Sequence, residues 1–269
     1  MDIKLIAIDI DGTLLNENNE LTQPTIDAIK AARAKGVKVV LCSGRPLTGI
    51  RPYLEPLGIS GDEEYVLAYN GSVAETVSGK VIFKMGINFE DFLQIEMMSR
   101  EMGVHFQIET TKEIFVTNKN ISKYTVFEAQ LVNLPIKSIT PEDVTKETDI
   151  TKMMYVDEPD KIEKAQENLP QSIKNRMKVV RSTPVFLEFM NHNAGKGNAL
   201  QSLTESLNLK PENVMAIGDQ GNDLSMIEYA GLGVAMGNGI QADKDAAQFV
   251  TKTNAEDGVA FAINKYVNK

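Results

Sequence analysis

Cysteine is nearly missing from this chain. Cys42 stands alone, so no disulfide can form within it. That usage fits a reducing compartment, and a cytoplasmic protein is the expectation. No apolar run approaches the roughly 18–20 residues that a membrane-spanning helix needs. Acids at Asp2, Asp9 and Asp11 surround a very short apolar run at the start, a pattern that does not read as a signal peptide. Positive charge is also in deficit, with 28 Lys and Arg against 37 Asp and Glu, a net of −9. Such a chain lacks the basic footprint that wraps nucleic acid, and an anionic membrane surface would repel it. A small anionic substrate stays open, because a metal ion and a few placed cations reverse the field locally. Internal repeats and low-complexity linkers are absent too. What remains is ordinary globular material: 269 residues, 42% apolar and 24% charged, enough for one large domain or two modest ones.

The order of elements predicts an α/β fold. Residues 4–10 form a nearly continuous apolar run, as in a strand buried on both faces of a parallel sheet. Thr22 is placed to cap a helix reaching about Lys35, with Pro24 in its first turn and Gly36 as the stop. Strands follow at Val37–Leu41 and Tyr65–Tyr69, the latter closed by Asn70-Gly71, a good hairpin signal. The rhythm then breaks. Helices are expected near Phe89–Met102, Ile121–Leu131 and Pro159–Leu169, with strands near Ile114–Thr117, Lys152–Val156 and Val185–Met190. It resumes with a helix over Gly197–Leu207, a strand over Val214–Ile217 and a helix over Asp223–Ala230. Strands at Leu232–Met236 and Phe249-Val250 and a helix over 255–266 close the chain. One doubly wound α/β domain, residues 1–83 and 189–269, is therefore expected to be split by an inserted α+β domain, residues 84–188.

Two acidic clusters carry the chemistry. Asp9-Ile10-Asp11-Gly12-Thr13 ends the first strand, where open α/β sheets bind ligands. Asp9 and Asp11, two residues apart on extended chain, project to one side. Like charges so close need a cation or a proton between them. Gly218-Asp219-Gln220-Gly221-Asn222-Asp223 also follows a buried strand. Read blandly, these are turns and helix caps, but an acid inside an apolar strand, as Asp9 is, costs too much to be casual. Carboxylates converging on one sheet edge make a hard oxygen site that suits Mg²⁺. Ser43 ends the second strand, where a hydroxyl can hold a phosphate oxygen. Lys196 opens a helix, where its charge adds to the partial positive charge of the helix end. Arg45 reads equally as an anion contact or a surface cation. Cys42 lies inside a strand and reads as a small hydrophobe. His105 and His192 read as structural or solvent-facing.

In this order, Asp-x-Asp-Gly-Thr-Leu at 9–14, Ser-Gly-Arg at 43–45, Lys-Gly at 196–197 and Gly-Asp-x-x-Asn-Asp at 218–223 resemble the four motifs of the haloacid dehalogenase (HAD) superfamily. The insertion between the second and third motifs resembles the type IIB cap of the Cof-type phosphatases, and the surrounding wording is similar to bacterial sugar phosphatases of that group. The resemblance implies a HAD-like core with an α+β cap that closes over a sugar phosphate. It implies Asp9 as nucleophile and Asp11 as general acid and base. Mg²⁺ would be held by Asp9, Asp219 and the Asp11 backbone carbonyl, with Asp223 supporting them or binding through water. Ser43, Lys196 and Asn222, with backbone amides at Ile10 and Gly44, would hold the phosphoryl oxygens, and Arg45 would join them in binding substrate. Thr13 would support the first loop. Two positions depart from the usual pattern: Gly195 directly before the lysine, and Gly221, where relatives often carry a larger polar residue. Two other activities fit the same motifs: a sugar phosphomutase, and a non-catalytic phosphometabolite-binding regulator. No oligomeric state is readable.

Overall fold

The structure, a computed structural model, describes residues 2–269. The chain starts with β1 (Leu5–Asp9), α1 (Gln23–Ala34), β2 (Lys38–Cys42), α2 (Leu47–Leu54), β3 (Tyr65–Ala68), β4 (Val73–Thr76) and β5 (Val81–Lys84). It continues through α3 (Phe89–Met102), β6 (Phe106–Glu109), β7 (Ile114–Val116), α4 (Lys123–Val132), β8 (Ile136–Ser138) and β9 (Lys152–Val156). Then come α5 (Pro159–Asn168), α6 (Gln171–Arg176), β10 (Met177–Thr183) and β11 (Phe186–Asn191). It closes with α7 (Lys196–Ser206), β12 (Val214–Gly218), α8 (Leu224–Tyr229), β13 (Leu232–Ala235), α9 (Gln241–Ala246), β14 (Phe249–Val250) and α10 (Gly258–Tyr266). These elements fall into two compact units, Met1–Phe83 with Gly195–Lys269, and Lys84–Ala194. The second unit runs past residue 188, because β11 pairs with β9 as far as Phe189 and with β10 as far as Asn191.

The first unit is a doubly wound α/β domain. Among the described residues its sheet has the order β14-β13-β12-β1-β2-β3-β4-β5. From β14 to β3 neighbouring strands run parallel, and β4 returns antiparallel to β3. β1 sits in the middle and is buried throughout, which is why its sequence is almost wholly apolar. Alternation sends Leu5 and Ala7 to one layer, against Leu200 and Leu203 of α7. Ile6 and Ile8 go to the other, with Ile29 of α1 and Ile263 of α10. Asp9 is left at the carboxyl end of β1, where β12 and β2 also end. Thr22 does stand at the N-cap of α1, but its hydroxyl donates to Asp257 at 2.6 Å rather than capping the helix.

The second unit is α+β. Its described strands form one sheet, ordered β10-β11-β9-β6-β7-β8 and antiparallel except between β7 and β8. Phe106, Ile108, Met153, Tyr155, Leu187 and Phe189 face one layer, packed with Phe92 of α3 and Ile162 of α5. The opposite face carries Gln107, Glu109, Lys152 and Glu188, all buried. There the Lys152 Nζ lies 3.2 Å from Glu109, 3.6 Å from Glu128 of α4 and 3.6 Å from Glu188. Burial pushes the Glu109 carboxyl up to about 7, against the pull of Lys152. β6 and β10 are not evident from sequence. In Phe106–Glu109 the polar alternates read as a solvent face, yet they lie under α4. β10 is an edge strand, and its Lys178 and Arg181 are the kind of charge that blunts an edge. α2, α6 and α9 are too short to show a helical period.

Candidate active site

Three acids meet above β1. Oxygens of Asp9, Asp219 and Asp223 lie within 4.8 Å of one another, and all three residues are buried. Their elements explain the meeting. β1 and β12 are adjacent and in register, Ile8 opposite Ile217, so the loops after them rise side by side. Gly12 allows the close approach. Its φ is +85°, and a Cβ there would stand 2.5 Å from the Asp219 Oδ2. Thr13 donates its hydroxyl to the Asp219 Oδ1 at 2.7 Å, tying the first loop to the second. Asn238, a residue the sequence did not single out, donates to the Gly12 carbonyl at 2.8 Å.

Lys196 enters this cluster fully buried. Its Nζ donates to the Asp9 Oδ1 and the Asp223 Oδ1, both at 2.5 Å. Gly197 brings α7 close enough, since a Cβ there would collide with the Ser225 backbone. Both oxygens of Asp223 are engaged, because Oδ2 accepts the backbone N–H groups of Asp219 and Gln220 at 3.0 Å each. Asp223 thus orients the lysine and folds the Asp219 loop. One lysine does not balance three acids. Burial and the Asp223 charge lift the Asp9 carboxyl well above its usual range, outweighing Lys196. Burial raises Asp219 as well, against the Thr13 hydrogen bond. The two carboxylates hold Lys196 as a cation above its ordinary range despite burial.

Asp11 does not join that cluster with its side chain. It is half exposed, and Arg45 grips it with two hydrogen bonds, Nε to Oδ2 at 3.0 Å and Nη2 to Oδ1 at 2.6 Å. Tyr53 of α2 backs the guanidinium, its hydroxyl 3.3 Å from Nη1. Ser43, expected to end β2, lies just beyond it, almost wholly buried, and its Oγ accepts the Arg45 N–H at 3.1 Å. Asn222 donates to the Asn70 Oδ1 at 3.0 Å, and Asn70 in turn lies against Gly44. Ile10 is buried, its carbonyl accepting the Leu15 N–H at 3.1 Å. Cys42 is no nucleophile: burial pushes its thiol up to about 12. His105 is held by Asp157 in the second unit at 2.8 Å. Gly221 leaves room, since a Cβ there would meet only Ile240, at 3.7 Å. Asn70 reads from the sequence as a hairpin turn, and it and Asn238 act through contacts 152 and 226 residues along the chain; Tyr53, eight residues from Arg45, belongs to no motif.

Buried carboxylates around one lysine stand at the carboxyl edge of a doubly wound sheet, the place where such sheets bind ligands. The sequence profile of the haloacid dehalogenase-like hydrolases matches residues 6–263, and the chain belongs to that family. A Streptococcus pyogenes protein bearing the provisional name of phosphatase is 42% identical over 268 residues, 99% of each chain. A haloacid dehalogenase-like hydrolase from Bacteroides thetaiotaomicron superposes with a TM-score of 0.87 at 32% identity, covering 98% of this chain and 99% of that one. The HAD subclass IIB sugar phosphatase BT4131 superposes with a TM-score of 0.79 at 26% identity, covering 98% of each. No helix among the described residues is long and apolar enough to cross a membrane.

Proposed function

We propose that the protein is a Mg²⁺-dependent phosphomonoester hydrolase acting on small sugar phosphates through an aspartyl-phosphate. The observation that carries this reading is Lys196 buried between Asp9 and Asp223 with Asp219 alongside. The donor set fits the cation. It offers hard oxygens, and its buried acids exceed the charge of the one lysine among them. Asp9 and Asp219 would hold Mg²⁺, with the Asp11 carbonyl, and Asp223 would act from behind. When bound, Mg²⁺ offsets the charge of the phosphoryl oxygens. Asp9 attacks phosphorus as the bond to the sugar oxygen breaks, and Asp11 gives that oxygen a proton. Asp11 then takes a proton from the water that attacks phosphorus, and the bond to Asp9 breaks. Lys196, Ser43 and Asn222, with the Ile10 and Gly44 amides, hold the oxygens over which charge spreads. The sugar-phosphate preference draws on the likeness to the subclass IIB sugar phosphatase.

Free phosphate released across a panel of phosphorylated metabolites, with and without Mg²⁺, tests the reading. Turnover of several sugar phosphates is expected, lost on EDTA and restored by Mg²⁺. Activity untouched by EDTA removes the metal from the account. Conversion of the sugar phosphate to an isomer with no free phosphate would make the protein a phosphomutase, and no turnover at all a binding protein.

Arg45 has a role here beyond charge. Its two-point grip places Asp11, which gives a proton only once one of those two hydrogen bonds is released; in the step that frees the sugar, only leaving groups that need a proton depend on that placement. Arg45→Lys keeps the charge but loses the fork. We expect kcat/KM, which reads the step that frees the sugar, to fall roughly ten- to a hundredfold on sugar phosphates, a partial loss of the roughly 10²–10⁴-fold that a positioned general acid supplies. With an aryl phosphate, whose leaving group departs unprotonated, the loss is expected to be much smaller. Equal losses on both would place Arg45 on the phosphoryl group instead.

A further inference from the structure

The chain that follows β13 crosses both acidic loops. Asn238 donates to the Gly12 carbonyl at 2.8 Å, and the Ile240 N–H donates to the Asp219 carbonyl at 3.0 Å. A Cβ on Gly239 would stand 3.2 Å from the Asp219 Cα, so the two backbones touch there. α9 starts at once, at Gln241. Asp243 stands in the first turn of α9, three residues after the Ile240 N–H that is pinned to the Asp219 loop. Its side chain is fully buried, and neither carboxyl oxygen has a hydrogen-bond partner in the protein.

An acid in the first turn of a helix is ordinarily there for the helix dipole. Such acids stay wet, whereas Asp243 is sealed. A buried carboxylate without a partner is costly, and folded proteins satisfy such groups with protein atoms, water or an ion. The charges that reach it belong to the acidic centre. Burial and then the charges of Asp223 and Asp219 push its carboxyl up to about 6, with Lys196 opposing. Without a cation the residue adds one more acid to a set already in excess.

We propose that Asp243 is an outer carboxylate of the metal centre, accepting hydrogen bonds from water bound to the cation and adding to the charge that retains it. This rests on the reading of Asp9 and Asp219 as cation ligands. Mg²⁺ characteristically keeps several of its waters, so a site for it needs acceptors one layer out. Groups in that layer set affinity without touching the ion. Asp243 is the buried acceptor left over beside the Asp219 loop.

The test is calorimetric titration of Mg²⁺ alone into the 269-residue protein near neutral pH, with melting curves recorded in the absence of metal. Wild type is compared with Asp243→Asn, Asp243→Val and Asp219→Asn. Both Asp243 variants are expected to bind Mg²⁺ about tenfold more weakly or worse, the scale on which losing an outer partner acts. Their metal-free Tm is expected at or above wild type, because the orphan acid is gone. Wild-type affinity in the Asp243 variants beside weakened binding in Asp219→Asn overturns the proposal and leaves the metal site standing. Undiminished binding in Asp219→Asn as well overturns the reading of the site itself. A metal-free Tm far below wild type in both Asp243 variants would show a structural acid with a partner, and would also overturn the proposal.

Discussion

Asp9→Asn abolishes turnover, lowering kcat on the order of 10⁴-fold or more, the scale on which an enzyme loses its nucleophile. The amide keeps the shape of the carboxylate but cannot form an acyl-phosphate. The fold survives the change. In the wild type one buried lysine faces Asp9, Asp223 and Asp219 together, and burial already holds Asp9 toward its protonated form. Removing that charge leaves Lys196 paired with Asp223, so the metal-free variant is expected to melt at or above the wild-type temperature. Loss of activity with an intact melting transition separates chemistry from folding. Full turnover in Asp9→Asn would exclude a covalent route through this residue.

Lys196→Met has the opposite balance and strikes stability as well. It leaves Asp9 and Asp223 buried with no cation between them. Breaking a buried pair in this way costs about 3–5 kcal/mol. The penalty depends on pH with a definite sign. Asp9 has a raised pKa in the folded state, so its protonated form adds stability at low pH, and this is lost as pH rises through the folded value. Lys196 itself stays charged throughout, its pKa being raised too. The loss in Lys196→Met should therefore widen from mildly acidic to mildly alkaline pH. Urea unfolding without metal at several pH values measures it. A loss that does not vary with pH would mean that the lysine supports packing rather than charge. Turnover is expected to fall to background, because the same Nζ would hold a phosphoryl oxygen.

The centre of the first unit was legible because few residue types suit it. An apolar strand buried on both faces, ending in an acid, admits few readings, and β1 with Asp9 is what the structure holds. Lys196 was legible only as one of four motifs in order; by itself it reads as a surface lysine, yet it is wholly buried. Arg45 is expected on the substrate; its contact with Asp11 is one the sequence does not suggest. The sequence shows that Arg45 follows β2 but not which neighbouring loop it reaches. Asp243 escaped notice for a related reason, since an acid opening a short helix looks like a cap until its burial is known. The Lys152 cluster was hidden by alternation: a polar face reads as wet, and only the placement of α4 makes it dry.

Trapping the intermediate tests the central claim most directly. The protein with Mg²⁺ and excess sugar phosphate is quenched in acid during turnover and mapped by peptide mass. The account predicts one phosphoryl group on Asp9, in the tryptic peptide from Leu5 to Lys30, labile to alkaline hydroxylamine as an acyl-phosphate is, and absent from Asp9→Asn. Phosphate released in steady turnover with Asp9 never labelled, or a stable label on another residue, would contradict it.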